Sequence, residues 1–96
     1  MIIPKSYKQF GRTVKVSVES TGPRAEYCGL ASPDRGSILL TPGMSRDKLE
    51  HTFLHESIHL AMFALGRGDL FEDEAFTDQF AGLLHQLLTT GRGEVK

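Results

Sequence analysis

Residues 51–66 read HTFLHESIHLAMFALG and gather the residue types with the most chemistry to offer. His55 and His59 stand four residues apart, Glu56 directly follows the first of them, and His51 lies four residues before it. If the stretch is helical, residues four apart sit about 40° from each other and one turn along the axis, so two imidazoles converge on one point. Neutral imidazoles suit a zinc ion. The carboxylate of Glu56 lies on the same flank, where it is not easily a ligand to that ion but can reach a water beside it. This is the physical content of the H-E-x-x-H pattern. One five-residue window matches it by chance with a probability on the order of 10⁻⁵. The competing reading, a core helix that happens to be rich in histidine, therefore needs a coincidence.

A catalytic zinc usually takes three protein ligands and keeps one position for water. His51 is in line with the other two histidines, but lies about 12 Å along the axis from His59, too far for one tetrahedral ion to bridge easily. The continuation H-E-x-x-H-x-x-G-x-x-H is absent, because Met62 and Leu65 stand at the required positions. What remains is the later stretch FEDEAFTDQFAGLLHQLL, in which Glu72, Asp73 and Glu74 all offer a carboxylate. Glu72 and Asp73 can equally serve as acids that compensate a helix dipole. Glu74 and Asp78 are four apart, again about 40° around a helix.

Such a constellation needs two helices and something to hold them. Ser45 suits a helix N-cap with Asp47 in the first turn, and no glycine or proline occurs from Arg46 to Leu65, so a helix is predicted over about 45–65 with Gly66 as its stop. Asp69 followed by Glu72 resembles a capping box and predicts a second helix from about 70 to 90. Arg67-Gly68-Asp69 reads as the turn between them. Earlier in the chain, RTVKVSV at 12–18 alternates with the period of a half-buried strand. STGPR at 20–24 reads as a loop, AEYCGL at 25–30 as a short strand, SPDRG at 32–36 as a turn, and SILLT at 37–41 as a strand. Strands followed by helices imply an α+β fold, with a small antiparallel sheet of about three strands over 12–41 and both helices packed on one face.

The chain as a whole sets wider bounds. Its 96 residues are expected to form one domain, and 40% apolar with 24% charged residues is the balance of an ordinary globular protein. A net charge of −1 without a basic block excludes the electrostatic footprint of a nucleic-acid binder. LAMFAL, residues 60–65, is the longest apolar run and is far too short for a membrane span. MIIPKSYKQFG carries no apolar core of a secretory signal, and the lone Cys28 permits neither an internal disulfide nor a cysteine zinc finger, so a reducing cytoplasm is expected.

Taken together, His55-Glu56-x-x-His59 and Glu74-x-x-x-Asp78 resemble the motifs of the gluzincin metallopeptidases, thermolysin-like zinc enzymes with an active-site helix and a following glutamate helix. The resemblance covers roughly residues 37–90. It is most like the minimal gluzincins, including small ones encoded by bacteria and phages, in which a chain of about this size is the whole protease. It implies that His55, His59 and Glu74 hold one zinc ion per chain, that Glu56 is the general base, and that Asp78 orients a ligand histidine, His55 first among them. It also implies that SILLT is an edge strand that takes a protein or peptide substrate as an added antiparallel strand. The donor that steadies the oxyanion is open among Tyr27, His51 and His85. The expected function is zinc-dependent peptide hydrolysis. The alternative, from a different class, is a non-catalytic zinc-stabilised module, such as a phage accessory or regulatory protein, that docks a partner through SILLT. Structural zinc sites are usually closed by four protein ligands, so three good ligands beside Glu56 point to the open kind.

Overall fold

The computed structural model describes residues 1–19 and 27–96; the expected loop at 20–24 and the first two residues of the expected strand at 25–30 lie outside them. Four strands come first, β1 (Ser6–Gln9), β2 (Arg12–Val18), β3 (Gly29–Ser32) and β4 (Ser37–Leu40). Three helices follow, α1 (Arg46–Ala64), α2 (Gly68–Phe71) and α3 (Glu74–Thr90). The class is α+β, as the order of patterns predicts. The sheet differs from the expectation in having four strands and in being mixed. Its order is β1-β2-β4-β3, with β1/β2 and β3/β4 antiparallel and β2/β4 parallel.

The physical reason for that order is burial. SILL offers apolar side chains to both faces, and Ile38 and Leu40 are 0% exposed beneath α1. A strand of that composition gains most in the interior of a sheet. β4 therefore slots between β2 and β3, and the half-buried GLAS of β3 takes the edge. This overturns the expectation that SILLT is the edge strand. β2 keeps its period over its middle, with Val14 buried, Val16 half-buried and Thr13, Lys15 and Ser17 exposed, while Val18 at its end is exposed as well.

α1 lies across β3 and β4 and carries Phe53, Leu54, Ile58 and Leu60 into the core. It begins at Ser45, whose Oγ accepts from the Lys48 amide at 3.3 Å. It ends where Gly66 takes φ +72°, with the Gly66 amide donating to the Phe63 carbonyl and the Arg67 amide to the Met62 carbonyl. The second helix does not start near 70. Residues 68–71 form the separate single turn α2, and α3 begins at Glu74 under the cap of Asp73, whose Oδ1 accepts from the Phe76 amide at 3.0 Å. Asp69, the expected cap, instead pairs with Arg67 at 3.0 and 2.8 Å. The substantial contacts of α3 are with α1 and α2 rather than with the sheet. Among the described residues no helix is long and apolar enough to cross a membrane.

Glu50 ties the first turns of α1 to the far end of α3. Its buried carboxylate accepts from His85 Nε2 at 2.8 Å and Arg46 Nε at 2.9 Å, and the Met1 ammonium lies 3.3 Å away. The His85 hydrogen bond, with help from the ammonium and Arg46 and against the cost of burial, holds this carboxyl below its ordinary value of 4.5. A carboxyl with a depressed folded-state pKa contributes stability that is complete above the ordinary value and is lost as pH falls through the folded value. Glu50→Gln is therefore expected to flatten the acid side of the stability–pH curve below about pH 4.5, as measured by urea titrations at stepped pH. An acid side as steep as the wild type's would show that Glu50 is not the group responsible.

Candidate metal centre

α1 and α3 run antiparallel, and each presents polar residues at four-residue spacing to the other. On α1 these are His51, His55 and His59; on α3 they are Glu74 and Asp78, with Gly82 one turn further. One turn forward on α1 matches one turn back on α3. His59 Nε2 lies 3.0 Å from Glu74 Oε1, His55 Nε2 lies 3.0 Å from Glu74 Oε2, and the two Nε2 atoms are 3.2 Å apart. Donor atoms bound to one tetrahedral zinc stand about 3.3 Å from each other, as bond lengths of about 2.0–2.1 Å require. His55, His59 and Glu74 thus form a group that could hold a metal ion.

The outer hydrogen bonds decide the character of that group. His59 Nδ1 lies 2.8 Å from the carbonyl oxygen of Phe71, which can only accept, so Nδ1 carries the proton and Nε2 of the neutral ring presents a lone pair. His55 Nδ1 donates in the same way to Asp78 Oδ1 at 3.3 Å. With both rings neutral, two lone pairs and a carboxylate face one point, an arrangement that repels itself unless a proton or a metal cation stands between them. The chemistry of the donors and their spacing fit a metal cation. The ring of Phe71 also meets His59 edge-on at 5.5 Å, so α2 braces this histidine twice.

Glu56, the acid of the motif, is buried beside the group and does not belong to it. Burial pushes its carboxyl above the usual range; His55 and His59 pull against that, Glu74 adds to it, and the Ala31 amide on β3 again opposes it. The two helices, α2 and β3 enclose a cleft of 1190 Å³, and its lining includes Tyr27, Glu56, His51 and His85. Tyr27 is exposed at its rim. His51 and His85 each spend Nε2 on a carboxylate, of Asp78 and of Glu50 respectively. Glu72 lines the cleft as the C-cap of α2, and Asp73 is occupied as the cap of α3, so neither competes with Glu74 in this arrangement.

No family model, curated protein or solved structure matches the chain. The cleft is therefore read from its own residues. Two of them carry no signal in the sequence: the Phe71 carbonyl, a backbone atom that any residue supplies, and Gly29. A Cβ at Gly29 would stand 2.8 Å from Thr52 Cγ2 and 3.1 Å from Glu56 Cγ. Only glycine lets the edge strand come this close to the stem of Glu56. Because Thr52 is buried and branched at Cβ, it cannot swing aside. Gly29→Ala is expected to lower the unfolding free energy by about 1–3 kcal/mol, read as a lower urea midpoint at unchanged slope. An unchanged midpoint would mean that α1 is not pressed against this strand.

Proposed function

We propose that the chain is a zinc-dependent metallopeptidase of the minimal gluzincin type, hydrolysing protein or peptide substrates in the cleft between α1, α3 and β3. The observation that carries the proposal is the convergence of His55 Nε2, His59 Nε2 and Glu74 within 3.0–3.2 Å while Glu56 stays outside the group and next to it. Two imidazoles and one carboxylate are a donor set that suits zinc among the common divalent ions. A zinc ion bound by these three residues supplies an electrophile that acidifies water and polarises a carbonyl.

The remaining roles fall to the chain's own groups. Glu56 accepts the proton of the attacking water at its carboxylate and passes it to the nitrogen of the leaving amine. Its burial favours this, because a desolvated carboxylate binds a proton more readily. Asp78 holds the His55 ring and the Phe71 carbonyl holds the His59 ring, so that both Nε2 atoms stay aimed at the same point. β3, as the edge strand lining the cleft, takes over the substrate-binding role first assigned to SILLT. The unpaired Cys28 suits work in a reducing cytoplasm.

Metal content and hydrolysis together test the proposal. Wild-type protein is expected to hold close to one zinc per chain by elemental analysis and to cleave members of a broad peptide panel. Glu56→Gln should keep zinc and the melting temperature while the hydrolysis rate falls by about 10²–10⁴-fold, the span associated with loss of a general base. Glu74→Ala should lose most of the zinc. Wild type that holds zinc yet cleaves nothing would leave a zinc-stabilised binding module in place of an enzyme. Wild type that takes up no zinc would end both readings.

A further inference from the structure

His51 is not one of the three residues in the metal group and does not belong to the hydrophobic core. Its Nε2 is nonetheless committed: it lies 3.1 Å from Asp78 Oδ1, the same oxygen that His55 Nδ1 approaches to 3.3 Å. The pairing repeats that of the turn before it. Glu74 spans His59 and His55, and Asp78 spans His55 and His51, each acid joining two histidines one turn apart. The difference lies in which oxygens are used. Glu74 gives a separate oxygen to each ring, whereas Asp78 gives one oxygen to both.

That shared oxygen matters because Asp78 has little else to hold it. Its side chain is 65% exposed, and a carboxylate at that exposure turns readily toward water. His55 alone offers it one hydrogen bond at 3.3 Å, the longer of the two. The second bond, arriving from the next turn of α1, fixes the position of Oδ1 between the rings. His51 is well placed to do so. Its side chain is 34% exposed, its ring lies over Gly82, where even an added Cβ would only reach 3.6 Å from Cε1, and the His85 ring stands 6.4 Å away, itself tied to Glu50.

We propose that His51 is a positioning residue for the metal centre: by donating its Nε2 proton to Asp78 Oδ1 it pins the carboxylate that fixes the His55 ring, and so raises the affinity for zinc without touching the ion. The proposal rests on the reading of His55, His59 and Glu74 as zinc ligands. Partners of this kind, one bond removed from the ion, typically change metal affinity by about 10–100-fold.

Zinc affinity, measured by competition with a chromophoric chelator, tests it without recourse to activity. His51→Ala is expected to weaken zinc binding by roughly tenfold or more. His51→Gln, whose amide nitrogen reaches about as far as Nε2 and can donate, should restore most of the loss. Asp78→Ala should lose at least as much as His51→Ala, and adding His51→Ala to it should cost nothing further, because a residue that acts through another has no effect once that other is gone. A packing role would instead lower the stability of every metal-free variant lacking the ring, His51→Gln included, and would give additive losses in the double variant. Wild-type affinity in His51→Ala, or an equal loss with and without Asp78, overturns the proposal while Glu74→Ala still loses zinc. If wild type and Glu74→Ala are alike in taking up no zinc, the underlying reading falls and this one with it.

Discussion

Two imidazoles and a carboxylate approach within 3.0–3.2 Å between α1 and α3, and with both rings neutral their lone pairs oppose one another. Left to themselves they repel, so the backbone must hold them there unless a cation stands among them. The packing of α1 on α3 does this holding. Every local device in the second half of the chain serves its register: the glycine stop after α1, the single turn of α2, and the Asp73 cap that makes Glu74 the first residue of α3. A shift of one residue anywhere between 60 and 74 would rotate Glu74 by about 100° away from its histidines. The short link between the helices is thus a ruler rather than a spacer.

The sheet contributes by pressing on α1 from the other side. Ile38 and Leu40 anchor the helix from below, and Gly29 admits the edge strand to the stem of Glu56. The pKa of Glu56 is consequently raised chiefly by the desolvation that packing imposes, with the charge of Glu74 adding to the effect and His55 and His59 opposing it. One helix carries both the clustered histidines and the buried acid, and its two flanks are under different control: α3 sets the histidines and β3 sets the acid.

Much of this was legible in the sequence because helices repeat. The four-residue spacing of His51, His55 and His59 and of Glu74 and Asp78 survives folding unchanged, and Ser45 and Gly66 bound α1 where a cap and a stop are expected. The start of α3 was not legible, since Asp69 and Glu72 imitate a capping box, whereas the cap is the single residue Asp73 one turn later. The strand β1 was hidden by its turn. Phe10 takes a left-handed φ of +50°, where glycine or asparagine would have announced a hairpin. The mixed sheet was hidden for another reason. Strand order depends on which strands compete for the interior, and a local pattern of alternation says nothing of that competition. The Phe71 carbonyl is beyond any sequence reading, because its role belongs to the backbone.

The position of Glu74 bears on how an ion held by this group would leave it. Helices fray from their ends, and the first residue is the easiest to release. Two of the three candidate ligands sit in the middle of a buried helix, but the third is attached to this loosest point, and its side chain is 70% exposed. Departure of an ion would then begin with the unwinding of a single turn at Asp73 and Glu74, leaving α1 and the sheet intact. Residence time and fold stability would in this way be set by different parts of the chain, so the lifetime of a loaded state would be tuned through the cap of α3 without loosening the core.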